Sequence, residues 1–146
     1  MPAAAPPRKN LPLLLLQARE AMMRRFRQVL KRHRLTDQQW RVMRSLAESG
    51  SMTSSDIARE CCMLGPSLTG VLNRMEAAGW VERARSAKDQ RRVAIRLSAA
   101  GRSLVARVMP EVEAVYRELE TALGVERLAA LSGELEAVMA VVSREP

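Results

Sequence analysis

Histidine, cysteine and aromatic residues are scarce in this 146-residue chain, and the shortages exclude several classes of function. A single histidine leaves too few ligands for a histidine-based metal site and too few groups for most acid–base catalysis. The sequence also contains no glycine-rich phosphate loop, no metal-ligand spacing and no nucleophile elbow. We therefore predict that the protein is not an enzyme and that it holds no cofactor and no metal.

The only two cysteines, Cys61 and Cys62, are adjacent, so they cannot cross-link distant parts of the chain. This cysteine usage favours a reducing compartment, and no convincing signal peptide or membrane-spanning run is found. The prediction is a cytoplasmic, nucleoid-associated protein with no membrane partner. The expected role of the cysteine pair is packing at a helix end, although a redox switch would need only one exposed thiol of lowered pKa.

Acidic residues are few in the first two thirds of the chain. Residues 1–98 contain 19 Lys and Arg against 8 Asp and Glu, whereas residues 99–146 contain 5 against 8. The formal net charge of +8 therefore arises from the first part of the chain. A positive field confined to one part of a protein is typical of polyanion binding.

Residues 52–97 have the pattern of a winged helix-turn-helix: helix, tight turn, helix, strand, basic loop and strand. Thr53 or Ser54 is expected to cap the first helix, because a hydroxyl there accepts a bond from a first-turn amide. Proline is well tolerated in a first helical turn, so Gly65 and Pro66 mark the start of the second helix. Gly79 is expected to end that helix as its C-cap.

Two surfaces of this motif suit DNA. One face of the second helix carries small or hydrogen-bonding side chains, as a helix in a major groove does. The loop between the strands is rich in arginine, and a basic wing in this position reaches phosphates or a minor groove. The candidate residues of these two surfaces are Ser67, Thr69, Gly70, Asn73, Arg74, Arg83, Arg85, Lys88, Arg91 and Arg92.

Long helices are predicted on both sides of the winged motif. They cover residues 10–34, residues 99 to about 124 with a kink at Pro110, and residues 126–142. Their aliphatic stripes have no partner within the winged motif, which predicts a homodimer of two-fold symmetry. The predicted fold is mainly α with a small β-hairpin wing. Its predicted parts are a disordered basic, proline-rich arm (1–9), a helical dimerisation region (10–34 and 99–146) and the winged DNA-binding domain (35–98).

Arg19 and His33 fall on the otherwise apolar seam of the first long helix. One interpretation is a snorkelling arginine and a hydrogen-bonded histidine near the helix end. The other is that both face a cavity or a subunit interface and bind an acidic group. Trp40, in the next helix, is either a core residue or part of a ligand site.

Residues 89–101 read DQRRVAIRLSAAG: an aspartate, an arginine two positions later, an alternating strand, a small hydroxyl residue, and a glycine three later. This pattern resembles the wing of the MarR family of bacterial transcriptional regulators, although the family usually has threonine where this chain has Ser98. The resemblance in element order and length extends over residues 11–142. Within the family, the segments at 15–20, 35–42 and 65–76 resemble the HpaR group, whose members repress the breakdown of hydroxylated aromatic acids.

The resemblance implies a dimeric repressor that occludes a double-stranded, pseudo-palindromic operator and leaves it when a small aromatic carboxylate binds. It places Arg91 in the minor groove, with Asp89 orienting it, and the second helix of the motif in the major groove. The full set of predicted DNA contacts is Ser54, Pro66, Ser67, Thr69, Gly70, Asn73, Arg74, Arg83, Arg85, Lys88, Asp89, Arg91 and Arg92. The effector is expected between the winged domain and the dimer helices, at Arg19, His33, Trp40 and Arg44.

Three alternatives remain open at this stage. A sequence-tolerant architectural DNA-binding protein would also explain the charge and the wing. A winged-helix module that binds another protein is a second possibility. The third is a thiol-based redox sensor on the same scaffold, which would depend on Cys61 and Cys62.

Overall fold

The computed structural model describes residues 7–85 and 89–144, so Lys88 and residues 1–6 of the predicted arm lie outside the described part. Within that part the chain forms six helices and one three-stranded antiparallel sheet, which confirms the predicted fold class. In chain order the elements are α1 (Leu11–Arg32), α2 (Asp37–Ser49), β1 (Ser51–Thr53), α3 (Ser54–Glu60), α4 (Gly65–Ala77), β2 (Val81–Arg85), β3 (Val93–Leu97), α5 (Ala99–Leu123) and α6 (Val125–Val142).

Helices α1, α2 and α3 begin at side-chain caps that lie close in sequence to the amides they bind. The Asn10 side chain accepts a hydrogen bond from the Leu13 amide at 3.2 Å, at the start of α1. Thr36 and Gln39 form a reciprocal capping box at α2, with both bonds at 3.1 Å. Of the two candidates at α3, Thr53 is the cap, because its Oγ1 accepts a bond from the Asp56 amide at 3.3 Å.

The sheet contains one strand that the sequence did not predict. Its order is β1-β3-β2, and in the β1–β3 pair Met52 lies opposite Ile95. A three-residue strand is too short to show an alternating pattern, which is why the sequence did not predict it. Strand β1 forms because β3 provides its hydrogen-bonding partner. The predicted alternation in β3 is also partly wrong: Ala94 is buried, whereas Val93 is 48% exposed. Val93 pairs with Arg85 at the wing end of the hairpin, beyond the edge of the core.

The chain forms two compact units, the first ending at Val108 and the second beginning at Met109. The core of the first unit is aliphatic, as the shortage of aromatic residues requires. Its most completely buried side chains come mainly from α2, both helices of the motif and the sheet, with Leu30 of α1 and Val108 of α5. They include Val42, Met43, Leu46, Ile57, Leu68, Leu72, Met75 and Ile95.

The start of α5 is tied to the end of α4. Ser98 accepts a hydrogen bond from the Gly101 amide at 3.0 Å and donates one to the Gly79 carbonyl at 2.5 Å. The Ser98 amide also donates to the Trp80 carbonyl at 2.9 Å. The cap of α4 is Ala78, one residue earlier than predicted, and Gly79 follows at a φ of +77°, a conformation that favours glycine.

The second unit contains the end of α5 and all of α6. Helix α5 includes Pro110 within its bounds, and the kink expected there stays a prediction. No residue of α6 is buried, and its apolar side chains include Leu131 at 47% exposure. Among the described residues, none of the helices combines the length and apolar character that crossing a bilayer requires.

Candidate nucleic-acid interface and effector region

Helix α4 has the two faces expected of a recognition helix. Its buried face contributes to the core through Leu68, Val71, Leu72 and Met75. On the other side, the structure leaves exposed all the predicted contacts except half-buried Gly70, namely Pro66, Ser67, Thr69, Asn73 and Arg74. Proline in the first turn costs the helix no internal hydrogen bond, because the first-turn amides have no partner within the helix. A rigid helix thus presents a polar surface to solvent.

A groove of about 240 Å³ runs between α3 and α4. It brings together Ser54, Thr69 and Arg83, which the sequence placed on three different elements. The Thr69 hydroxyl donates to the Gly65 carbonyl at 3.0 Å, so its oxygen is left to accept a bond from a ligand. These three predicted contacts therefore share one surface.

The wing presents exposed arginines next to this surface. Arg91 and Arg92 are both exposed, and the turn before them is closed by Asp89. The Asp89 carboxylate accepts a bond from the backbone amide of Arg91 at 3.0 Å, and its carbonyl accepts one from the Arg92 amide at 3.0 Å. Asp89 therefore fixes the backbone from which the two arginines project, while orientation of the Arg91 guanidinium by Asp89 remains a prediction.

Two other predicted wing contacts are bonded within the protein. Arg85 donates to the Gln90 carbonyl at 2.8 Å, across the wing. Arg83 donates to the carboxylate of Glu76 at 2.9 Å and to the amide oxygen of Asn73 at 3.1 Å, both on α4. The sequence pattern gave no reason to single out Glu76, although it lies three residues after Asn73 and therefore on the same helix face.

Removal of the Arg91 side chain is expected to weaken binding to operator and to random DNA alike, if it binds backbone phosphates and a narrow groove. Because the variant neutralises one phosphate fewer, the slope of log Kd against log salt should fall by about one. Arg91→Ala would be measured by fluorescence anisotropy on both duplexes over a salt series, with Arg107→Ala as the control for removal of a charge elsewhere. A weakening confined to the operator would contradict this role and indicate base readout.

In the candidate effector region, Arg19 belongs to a charged network that reaches the start of α2. Arg19 pairs with Glu20 at 3.1 Å. Arg27 bridges Glu20 at 2.7 Å and Asp37 at 3.0 Å. Hydrogen bonding to the Arg27 guanidinium holds the pKa of both carboxyl groups below their ordinary values. Arg19 also lowers the pKa of Asp37 electrostatically, which places its charge near the N-terminus of α2.

Trp40 and Arg44 are one turn apart on α2 and therefore on the same face. Trp40 is buried, at 8% exposure, and Arg44 is half-buried and paired with Glu48 at 2.8 Å. His33 caps the C-terminal end of α1, about 20 Å along the helix axis from Arg19. A single small ligand does not span that distance, so Arg19 and His33 of the same chain do not both contact one aromatic acid, and their roles as effector contacts stay predictions.

The cysteines occupy different environments. Cys61 is buried, which confirms the expected packing for that residue, and burial raises the pKa of its thiol. A raised pKa disfavours the reactive thiolate. Cys62 is exposed and has a φ of +51°, so it is the only one of the pair that solvent reaches freely.

The chain is similar in sequence and structure to known transcriptional regulators. Residues 35–93 match the MarR family. Over 132 residues the chain is 46% identical to the homoprotocatechuate degradative operon repressor of Escherichia coli, covering 90% of this chain and 89% of that protein. It is also 46% identical over 114 residues to the HTH-type transcriptional regulator FarR of Neisseria gonorrhoeae, covering 78% of each. A solved structure of NadR in complex with 4-hydroxyphenylacetate matches with a TM-score of 0.83 at 41% identity, covering 94% of this chain and 97% of NadR.

Proposed function

The chain belongs to the MarR family of transcriptional regulators, and we propose that it is a homodimeric repressor released from its operator by a small aromatic carboxylate. The observation that carries the proposal is the exposed polar face of α4 beside the exposed arginines of the wing. In this proposal α4 enters the major groove and the wing reaches the adjacent minor groove. The operator is pseudo-palindromic, with half-sites roughly 34 Å apart or a multiple of that distance.

Exposed apolar residues at both ends of the chain support the dimer. Side chains in the first turns of α1 are between 39% and 55% exposed, although they are leucines (Leu11, Leu13, Leu14, Leu15 and Leu16). The stripe of α6 is exposed as well. Groups of large exposed apolar side chains along one helix are rare on a monomer and mark an interaction site. We assign residues 10–34 and 99–146 to dimerisation, residues 35–98 to DNA binding, and the protein to the nucleoid in the cytoplasm.

The proposed effector class comes from the relatives and from the chemistry of α1 and α2. One relative is named for homoprotocatechuate degradation, and a solved structure of another holds 4-hydroxyphenylacetate. An aromatic carboxylate needs a cation and an apolar wall. Arg19 and Arg44 offer guanidinium groups, which bind carboxylate through two parallel hydrogen bonds, and Trp40 offers a ring. The protein would thus control an operon for breakdown of aromatic compounds.

The test is a titration of the purified protein onto its own upstream intergenic DNA at fixed salt, with a panel of aromatic and heteroaromatic carboxylates. Release by one compound at micromolar concentration would support the whole proposal. If the protein binds its operator specifically and no compound releases it, the proposed DNA binding stands and the proposed effector class is wrong. Equal affinity for operator and scrambled DNA would favour the architectural alternative.

Loss of the Arg19 guanidinium is expected to desensitise the repressor to its effector. Arg19→Ala should raise the effector concentration needed for half-release by about tenfold or more, because it removes a charge-assisted hydrogen bond to the carboxylate. Operator affinity without effector should not change. The measurement is the release titration above, with Arg24→Ala as a control for an exposed arginine on the same helix. If both variants respond like the wild type, Arg19 is not the clamp.

A further inference from the structure

Arg83 joins the wing to the candidate recognition helix. It lies in the middle of β2, and its position in a run of cations predicts a contact with DNA. Its Nε donates to Glu76 Oε2 at 2.9 Å, and its Nη2 donates to Asn73 Oδ1 at 3.1 Å. Glu76 and Asn73 are one turn apart on α4. One planar guanidinium therefore holds two side chains of the helix from the neighbouring strand.

This contact determines what Asn73 offers to a ligand. A side-chain amide has an acceptor end and a donor end. The bond from Arg83 engages the acceptor end and restricts the orientation of the amide, and the Nδ2 donors are left for another partner. Because the orientation is set before binding, less conformational entropy is lost when a partner is bound.

The ion pair between Arg83 and Glu76 contributes little to folding stability. The side chains of Arg83 and Glu76 are 35% and 47% exposed, and exposed ion pairs contribute little to folding stability. Glu76 does, however, hold the guanidinium at a second point and so restricts the direction of the Nη2 group. A role in orientation explains both contacts, whereas a phosphate contact explains neither.

We propose that Arg83 is a positioning residue for DNA recognition, which directs the Nδ2 donors of Asn73 towards acceptor atoms in the major groove. The matching acceptors are guanine N7 and O6, adenine N7 and thymine O4. The inference rests on the proposed function as an operator-binding protein. It moves Arg83 from the residues that contact phosphate to those that determine sequence specificity.

The experiment compares Arg83→Lys, Arg83→Gln, Glu76→Gln and Asn73→Ala with the wild type. Affinity is measured by anisotropy over a salt series, on a duplex selected by the protein from a random pool and on a scrambled duplex of equal composition. Lysine keeps the charge of arginine but cannot form the planar fork that holds both partners. Arg96→Lys is the matched control, since Arg96 lies in the neighbouring strand β3 and its Nε also donates to a glutamate, Glu82, at 3.1 Å.

The expected result for Arg83→Lys is a loss on the order of tenfold in the ratio of selected to scrambled affinity. Its scrambled affinity and its salt slope should match those of the wild type. Glu76→Gln should lower the same ratio without removing a positive charge. Because Arg83 acts through Asn73, Arg83→Lys should cost no further specificity in the Asn73→Ala background. Arg96→Lys should keep the wild-type ratio.

Other outcomes would overturn the inference. If Arg83→Gln weakens binding to both duplexes equally and lowers the salt slope by about one, while Arg83→Lys resembles the wild type, Arg83 contacts phosphate. If the wild-type ratio is well above one and neither Arg83→Lys nor Glu76→Gln lowers it, the positioning role of Arg83 is wrong. The proposed repressor function is not affected by that result. A wild-type ratio near one contradicts the proposed repressor and the inference with it. Thermal unfolding of each variant identifies a loss that comes from misfolding, in which case Glu76→Gln decides.

Discussion

Substitution of Gly101 by alanine is expected to destabilise the protein by about 3 kcal/mol or more. A Cβ at this position would overlap the carbonyl oxygen of Trp80 and would lie 3.2 Å from Leu97 Cδ2. The Trp80 backbone cannot withdraw easily, since its amide donates to the Met75 carbonyl at 2.9 Å and its carbonyl accepts from Ser98 at 2.9 Å. In an open helix the same substitution would be favourable, so the predicted change is opposite in sign to that of helix propensity.

Gly133 provides the matched control. It lies inside α6, and a Cβ there would meet nothing within 4 Å. Gly133→Ala should therefore stabilise the protein by about 0.5–1 kcal/mol. Both variants would be followed by urea unfolding at one fixed protein concentration, because the stability of a dimer depends on concentration. A Gly101→Ala protein as stable as the wild type would show that α5 does not approach Trp80 this closely.

An aspartate at Leu131 is expected to separate the proposed dimer into monomers and to lower operator affinity by about a hundredfold or more. Leu131 is 47% exposed in the single chain, so a charge there costs the monomer little. In the dimer the same charge would be buried in an apolar interface without a partner, which is costly. Two DNA-binding domains linked in a dimer bind DNA on the order of 10²–10⁴ more tightly than one domain alone, and this gain in affinity is lost when the dimer dissociates.

The control for Leu131→Asp is Ala137→Asp, an equal addition of charge about 120° around α6 from Leu131 and away from its apolar stripe. It should leave both the oligomeric state and the operator affinity as in the wild type. Light scattering after gel filtration gives the mass of each variant, and anisotropy gives its affinity. Should Leu131→Asp remain a dimer while Ala137→Asp dissociates, the interface lies on the other face of the helix.

Features that depend on neighbouring residues were predictable from the sequence. The caps at Asn10, Thr36 and Thr53 each use a hydrogen bond between residues three apart, so a short stretch of sequence contains both partners. The polar face of α4 followed from helical periodicity alone. The resemblance of residues 89–101 to the wing of the MarR family predicted the family, which the relatives confirm.

The tertiary structure decided the features whose partners are distant in the chain. Strand β1 forms because Met52 meets Ile95, and Gly101 is required because α5 passes against Trp80. Arg83 belongs to a run of cations in the sequence, and only the folding of β2 against α4 gives it Asn73 and Glu76 as partners. A residue type and its spacing indicate which bonds are chemically possible. Which of them forms depends on the distances that packing sets between elements, and a local sequence pattern does not contain those distances.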